Sequence, residues 1–234
     1  MTIDAAMLRI GGLVPLSTTD FPGRLAAVVF CQGCPWRCAY CHNPHLLPRH
    51  GAHEINWEAV VAFLRRRVGL LDAVVFSGGE PTLQAGLAAA MRTVKALGFE
   101  VGLHTAGIDP QRLREVLPFV DWVGLDIKTV FDDYADVTGV PHSGARARLS
   151  LAALLASGVA YEVRTTVHPR LLPAAKLLKL AKVVAGCGVR QYAVQEYRSA
   201  GCAGHGLQDT ASYLSPSFCA SLARDFPAFT VRRA

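Results

Sequence analysis

The fold is decided by one stretch in which a short apolar run leads into a loop rich in cysteine: LAAVVFCQGCPWRCAYCHNP, residues 25–44. The run Leu25–Phe30 is apolar at every position and does not alternate, which is typical of a strand buried on both faces. Such strands occur in parallel sheets that are covered by helices. Because these sheets bind their ligands beside the carboxyl ends of the strands, the cysteine loop is the first candidate for chemistry.

The same pattern, a short apolar run followed by a helical segment, recurs about every thirty residues along the chain. Six such units predict an α/β fold, an incomplete (β/α)6 barrel of parallel strands, because a closed eight-unit barrel usually needs about 250 residues. The predicted strands are Leu25–Phe30, Ala73–Phe76, Glu100–His104, Trp122–Asp126, Tyr161–Val167 and Gln191–Val194. The predicted helices are Trp57–Val68, Thr82–Leu97, Pro110–Leu117, Gly144–Ala156 and Leu171–Ala185.

No linker or low-complexity tract divides the chain, so residues 1–234 are expected to form a single domain. Its parts are a lead-in over residues 1–24, a core over residues 25–198 and an irregular or helical tail over residues 199–234.

Composition excludes several classes of protein. With 234 residues, 51% of them hydrophobic and 18% charged, the chain is too apolar for intrinsic disorder. The apolar run Leu149–Tyr161 is shorter than the ~18 residues of a membrane span, and Met1–Gly12 lacks the pattern of a signal peptide. The net charge of +6 is spread along the chain, so no nucleic-acid partner is expected. Seven cysteines without an export signal indicate the reducing cytoplasm.

The loop after the first strand carries Cys34, Cys38 and Cys41 in the spacing C-x3-C-x2-C. Soft thiolate ligands favour either zinc or an iron–sulfur cluster. Zinc usually takes two well-separated ligand pairs, and the chain has no second pair, although Cys31 or His42 could serve as a fourth ligand. A cluster of four irons normally takes four cysteines, so three ligands leave one iron open for catalysis. Both metal centres remain possible at this point.

The other cysteines have a simpler interpretation. Cys31 lies in or just after an apolar strand and is expected to be a buried free thiol. Cys187, Cys202 and Cys219 match no ligand spacing, and packed thiols are the default for them.

The cysteine loop, with Tyr40 before its last cysteine, resembles the signature of the radical S-adenosylmethionine superfamily. The sequence Cys41-His42-Asn43-Pro44 and the upstream Thr19–Gly23 are similar to those of glycyl-radical-enzyme activases. Within that group they most resemble the activating proteins of anaerobic ribonucleoside-triphosphate reductases. The resemblance runs from about Leu13 to Tyr197.

The resemblance assigns roles to further residues at the predicted strand ends. Gly78, Gly79 and Glu80 look like the motif that holds the amino group of S-adenosylmethionine, and Tyr40 and Asn43 join the cofactor-binding residues. Taken alone, the glycine motif is also a plausible β–α turn.

Three charged residues and a histidine complete the set of cofactor-binding candidates. Asp126 and Lys128 lie two apart and match an activase motif, although a structural ion pair remains an alternative. Arg164, inside an apolar strand, needs an anionic partner, and the cofactor's carboxylate is a reasonable one. His104 stands where relatives often have Asp. Some activases have a histidine near Arg198, so the adenosine-side contacts are left open.

The resemblance implies a complete activity. Cys34, Cys38 and Cys41 would hold a [4Fe–4S] cluster that binds S-adenosylmethionine, is reduced by flavodoxin or ferredoxin, and yields a 5′-deoxyadenosyl radical. That radical would remove a hydrogen from a glycine of a partner, most readily an anaerobic ribonucleotide reductase. The alternatives are pyruvate formate-lyase or another glycyl-radical enzyme as partner, a small-molecule substrate, or a structural zinc protein. Residues 42–76 contain no cysteine, which disfavours the activases that carry an inserted ferredoxin-like segment.

Overall fold

An eight-stranded sheet organises the chain, and its strands follow one another in space in the order of the sequence. The computed structural model describes residues 4–202, 207–210 and 212–233. Strand β1 runs antiparallel to β2, and every later neighbour pair is parallel. The strands are β1 (Ile10–Ser17), β2 (Ala26–Cys31), β3 (Ala73–Gly78), β4 (Glu100–Thr105), β5 (Trp122–Asp126), β6 (Ala160–Val167), β7 (Gln191–Glu196) and β8 (Ala228–Arg232).

Helices connect the parallel strands and cover the outside of the sheet. Their buried residues recur at helical spacing, as in the second helix, where Leu87, Ala90, Met91 and Val94 face the core. The helices are α1 (Trp57–Arg65), α2 (Leu87–Ala96), α3 (Pro110–Val116), α4 (Tyr134–Thr138), α5 (Ser143–Ser157), α6 (Ala174–Gly186) and α7 (Pro216–Ala223). Within the described ranges, no helix is long and apolar enough to cross a bilayer.

Both faces of the sheet are buried, which is why its strands are apolar at successive positions. On β2, Ala27 and Val29 belong to the large core under the helices, whereas Ala26 and Val28 face the inside of the barrel. At the amino ends of the strands the inside is filled by Phe21 and Trp122, whose rings stack at 5.5 Å. At the carboxyl ends of the strands the inside of the barrel is not filled, and a cavity forms there.

The six predicted strands and the incomplete parallel barrel are confirmed, since β1 and β8 are the two ends of the sheet order. Two strands were not predicted. Strand β1 lies in the expected lead-in and contains Gly11, Gly12 and Pro15, residues that are tolerated at a sheet edge but weaken a strand pattern. Strand β8, with α7 before it, lies in the expected tail. The parts of the predicted lead-in and tail at 1–3, 203–206, 211 and 234 fall outside the described residues.

Two predicted helices begin later than expected. The helix predicted over Leu171–Ala185 begins at Ala174 as α6. Residues Thr82–Leu97 were predicted as one helix, but α2 starts at Leu87 because Pro81–Leu83 form a separate single 3₁₀ turn.

Candidate active site

A cavity of about 540 Å³ opens at the carboxyl ends of the parallel strands. This volume lies within the range of pockets that hold a small-molecule cofactor. Every residue that the sequence nominated for the site, except Glu80, lines this cavity: Cys34, Cys38, Tyr40, Cys41, Asn43, Gly78, Gly79, His104, Asp126, Lys128 and Arg164. The structure therefore brings together residues that are up to 130 positions apart, as numbered from Cys34 to Arg164.

The cysteine loop folds back on the segment that follows it. The backbone amide of Gly33 donates to the Leu46 carbonyl at 2.7 Å, and the amide of Cys34 donates to the Leu47 carbonyl at 3.1 Å. The buried Gln32 side chain donates to the Pro48 carbonyl at 2.6 Å and so holds the base of the loop.

The glycine pair after β3 seats the cysteine loop by close backbone contact. Gly78 has φ +110°, and a Cβ there would lie 2.5 Å from the backbone nitrogen of Cys31. A Cβ on Gly79 would clash with the carbonyl oxygen of Gly33. Two amides complete the contact, because Gly79 donates to the Cys31 carbonyl at 2.8 Å and Glu80 donates to the Gly33 carbonyl at 3.0 Å. Only glycine permits this approach.

The far side of the cysteine loop rests on the segment after β5. The amide of Arg37 donates to the Thr138 carbonyl at 2.8 Å, and the fully buried Trp36 packs edge-on against Tyr134 with ring centroids 5.8 Å apart. The loop is thus fixed on both sides, and its thiols are held against the cavity.

The three thiols of the loop are half-buried and face the cavity. Burial, with the nearby Glu80, raises the pKa of Cys34 to about 12, and burial also raises the pKa of Cys38 above its ordinary value. A bound metal removes these protons, since a coordinating thiol is deprotonated. Cys31, by contrast, is fully buried in the core, as expected for a packed thiol.

The donor set suits a cluster better than a single ion. Nowhere in the described chain do three Cys, His, Asp or Glu side chains surround one point as a single metal ion requires. Zinc needs its ligands at one ion, whereas a [4Fe–4S] cluster gives each thiolate its own iron. Three thiols that line one cavity fit a cluster in which each thiolate binds its own iron.

Glu80 lies behind the cavity wall and does not line it, which differs from the expected contact with an ammonium group. Its side chain is 0% exposed and accepts from the Thr82 hydroxyl at 2.7 Å, the Thr105 hydroxyl at 2.6 Å and the Ala106 amide at 3.0 Å. The physical reason is the 3₁₀ turn at Pro81–Leu83, which the Glu80 carboxylate caps through the Thr82 amide. Glu80 therefore joins β3 to the end of β4 and supports the glycine pair from behind.

Asp126, Lys128 and Arg164 form a charged group at the ends of β5 and β6. The Asp126 carboxylate accepts from Arg164 Nε at 3.0 Å and lies 3.9 Å from Lys128 Nζ. Burial alone raises the pKa of Asp126, but Arg164 and Lys128 outweigh it and hold that pKa below its ordinary value. Two cations on one carboxylate leave positive charge beside the thiols, which can bind an anionic group of a ligand.

The Lys128 ammonium is the part of this group nearest to the cysteine loop. It lies 5.3 Å from the centre of the Tyr40 ring. Burial lowers the pKa of Lys128, but Tyr40, Cys38 and Asp126 outweigh that effect, so the pKa lies well above its ordinary value. Lys128 therefore stays charged inside the site.

His104 is held in a neutral form at the floor of the cavity. Its Nε2 donates to the Asp20 carbonyl at 2.7 Å, and its ring packs edge-on against Trp122. Burial, together with the Arg164 guanidinium, lowers the pKa of His104 to about 4. A neutral ring with its proton on Nε2 positions the loop that carries Asp20.

Several residues of the cavity wall were missed by sequence reasoning. Thr19 and Asp20 line the cavity, and their signal was present in Thr19–Gly23, which matched the family but was not placed in the site. Arg232, paired with Glu162 at 2.7 Å, also lines the cavity. It belongs to β8, which the sequence did not predict.

A comparison with models of protein families identifies the class of enzyme to which this fold and this cavity belong. Residues 28–181 match the model of the Radical SAM superfamily. The match begins in β2, includes the cysteine loop and the charged group, and ends in α6. The chain belongs to this superfamily.

Two curated relatives identify the group within the superfamily. The chain is 32% identical over 197 residues to a protein of Methanocaldococcus jannaschii that is named as a glycyl-radical enzyme activating enzyme, covering 80% of this chain and 79% of that protein. It is 35% identical over 185 residues to the pyruvate formate-lyase-activating enzyme of Clostridium pasteurianum, covering 76% of each. The chain is thus a member of the glycyl-radical-enzyme activase family.

Solved structures agree on the fold. Streptococcus suis SuiB bound to S-adenosylmethionine superposes with a TM-score of 0.66 over 87% of this chain at 14% identity. The chain spans about half of that protein, 48% of its length. At this identity the likeness supports the fold alone.

The family assignment decides between the metal centres that the sequence left open. Enzymes of this superfamily use a [4Fe–4S] cluster and S-adenosylmethionine, and the thiols and cavity fit both. The structural-zinc interpretation is therefore set aside.

Proposed function

We propose that this enzyme generates a glycyl radical on an anaerobic ribonucleoside-triphosphate reductase. The observation that carries the proposal is a single cavity that joins three thiols, a charged group able to hold an amino-acid ligand, and the loop Thr19–Gly23. That loop carries the resemblance to the reductase activases, and it supplies Thr19 and Asp20 to the cavity floor. Other glycyl-radical enzymes remain the second group of candidate partners.

Each part of the wall has a proposed task. Cys34, Cys38 and Cys41 would hold the cluster, which supplies the electron that cleaves the sulfonium bond of S-adenosylmethionine. Arg164 and Lys128 would bind the carboxylate of the ligand, since both cations face the cavity beside Asp126. The buried walls would exclude water and so protect a reactive species.

The open barrel suits a protein substrate. The two edge strands, β1 and β8, leave the sheet unclosed, so a loop that carries the target glycine could approach the cavity from the open side. A substrate of this size would be harder to admit into a closed barrel.

The partner is tested by offering two enzymes in parallel. The reconstituted protein, S-adenosylmethionine and a reductant are incubated without oxygen with an anaerobic ribonucleotide reductase or with a pyruvate formate-lyase. Electron paramagnetic resonance (EPR) then counts glycyl radicals. We expect the radical on the reductase. A radical only on the lyase would overturn this choice and favour the second candidate, which the 35% identical relative supports.

We further propose that an acidic flavodoxin or ferredoxin delivers the electron. The net charge of +6 favours an acidic partner. Arg37 of the cysteine loop is exposed and adds a positive charge beside the proposed cluster. Reduction should slow as salt rises, because screening weakens this attraction. Rates that do not respond to salt would contradict the electrostatic docking.

We also place the protein in the cytoplasm. All seven cysteines are free thiols in the structure, which suits a reducing compartment.

A further inference from the structure

The segment after β7 packs against the cysteine loop, and its Arg198 lines the cavity. We call residues 197–202 the strap. Four strands separate β2 from β7 in the sheet, yet polar groups of the strap contact the loop that follows β2. His42 Nε2 lies 3.0 Å from the Arg198 carbonyl, and the Cys202 thiol lies 3.6 Å from the Tyr40 carbonyl. The strap therefore joins the end of β7 to the cysteine loop after β2, although these two strands are not neighbours in the sheet.

The hydrogen bond between His42 and Arg198 has a defined donor and acceptor. A carbonyl can only accept, so Nε2 carries the proton and donates it to Arg198. The imidazole also packs beside the Tyr197 ring, with centroids 5.9 Å apart. His42 directly follows the proposed ligand Cys41 and lines the cavity, and Arg198 lies in the part of the cavity wall that follows β7. One hydrogen bond thus links the cluster loop to that wall.

The strap is itself firmly held, so it can act as a support. The Tyr197 amide donates to the Val167 carbonyl at 3.0 Å, which continues the pairing of β7 with β6. The Asp209 carboxylate accepts from the Ser199 amide at 2.7 Å and from the Ser199 hydroxyl at 2.8 Å. The Arg198 guanidinium donates to the Arg233 carbonyl at 2.9 Å, next to β8.

The residues on the two sides of the His42–Arg198 hydrogen bond belong to different parts of the site. On the loop side are the thiols and Tyr40. On the strap side are Gln195, Glu196 and Arg198, which line the half of the cavity away from the glycine pair. The separation of the two halves depends on what joins them across the mouth.

We propose that His42 is a positioning residue, which sets the distance between the cluster loop and the wall built by β6 to β8. It does so through its hydrogen bond to the strap. We expect S-adenosylmethionine to contact both halves of the cavity, so that its affinity depends on this distance. The inference rests on the cofactor assignment and concerns His42 itself, whose role does not require contact with the reacting atoms.

The test uses the full chain, reconstituted with iron and sulfide without oxygen. His42→Leu removes the donor, whereas His42→Gln keeps a nitrogen donor at a similar reach. His50→Gln is the matched control, because His50 is an exposed histidine outside the cavity. Iron content, melting temperature and the dissociation constant of S-adenosylmethionine are measured for each protein.

We expect all four proteins to hold the same iron and to melt at similar temperatures. Affinity for S-adenosylmethionine should fall roughly five-fold in His42→Leu, the size of one hydrogen bond, and return to within about two-fold in His42→Gln. Unchanged affinity in a fully loaded His42→Leu protein would overturn the proposal. Loss of iron in His42→Leu would also overturn it, because His42 would then be a support of the cluster loop alone.

The second contact gives an independent check that leaves His42 intact. The Cys202 thiol lies 3.6 Å from the Tyr40 carbonyl and 3.4 Å from the Arg198 carbonyl, so Cys202→Ala removes a donor between the loop and the strap, and Cys202→Ser keeps one. We expect weaker binding in the alanine variant and recovery in the serine variant. Binding by Cys202→Ala as tight as in the parent protein would contradict the role of the strap. A parent protein that forms no cluster or binds no S-adenosylmethionine would instead overturn the cofactor assignment.

Discussion

At the scale of single residues, the site depends on the Asp126 carboxylate, which pairs with two cations. Asp126 is about one-third exposed, 34%, whereas its partners Lys128 and Arg164 are 8% and 13% exposed. All three side chains line the cavity, and the two cations are held nearly buried beside the more exposed carboxylate. Removing it would leave two nearly buried cations without their shared partner.

Asp126→Ala is therefore expected to weaken S-adenosylmethionine binding roughly ten-fold or more, because Arg164 loses the acceptor that orients it. Isothermal titration of the reconstituted protein measures the effect. Asp225→Ala is the control, since Asp225 is exposed and does not line the cavity. Full affinity in Asp126→Ala would reduce the charged group to a structural ion pair.

His104 gives a prediction of pH dependence. Its pKa is lowered to about 4 from 6.5, chiefly by burial and then by Arg164. Between these values the unfolded chain binds a proton that the folded chain does not, so the free energy of unfolding falls as the pH drops from 6.5 towards 4. His104→Gln removes this contribution and keeps a donor for the Asp20 carbonyl.

Urea unfolding at pH 7.5 and pH 5 measures this difference. The parent protein should lose about 1–2 kcal/mol more than His104→Gln over this interval. An equal loss in both proteins would contradict a neutral, buried His104.

At the scale of elements, the cysteine loop owes its position to the loop after the neighbouring strand. Gly79→Ala would drive a methyl group into the Gly33 carbonyl, and backbone cannot move aside as a flexible side chain can. We expect a lower melting temperature and loss of most of the bound iron. Gly186→Ala is the control, because a Cβ there meets nothing within 4 Å. Wild-type iron content in Gly79→Ala would show that the loop is held by other contacts.

The strands that could be predicted are those buried on both faces, because continuous apolar runs as short as Ala73–Phe76 favour a strand over a helix. Strand β1 could not be predicted, because Gly11, Gly12 and Pro15 interrupt its pattern. Only its pairing with β2 makes it a strand. Strand β8 is short and comes after a stretch without a repeat pattern. Its place beside β7 is set by tertiary packing, which the sequence pattern does not encode.

The same limit applies to the site. Residues at the ends of predicted strands, such as Asp126 and Arg164, could be placed together because parallel strands end at one edge. Residues from strands that were not predicted, such as Arg232, could not be placed in the site. The direction of Glu80 also escaped prediction, because it depends on the 3₁₀ turn that the side chain caps.

At the scale of the whole molecule, the active site is distributed over nearly the full length of the chain. The cavity takes residues from Thr19, before β2, to Arg233, after β8. The family model covers only residues 28–181, so the two ends of the cavity wall come from segments outside that match.

Cys34, Cys38 and Cys41 are proposed to hold a cluster beside a cavity that binds S-adenosylmethionine. The most direct measurement is EPR of the anaerobically reconstituted and reduced protein, with and without S-adenosylmethionine, together with an assay for 5′-deoxyadenosine. We predict a reduced-cluster signal that changes on adding the compound, with 5′-deoxyadenosine formed. A protein that holds zinc, gives no such signal and forms no 5′-deoxyadenosine would contradict the account.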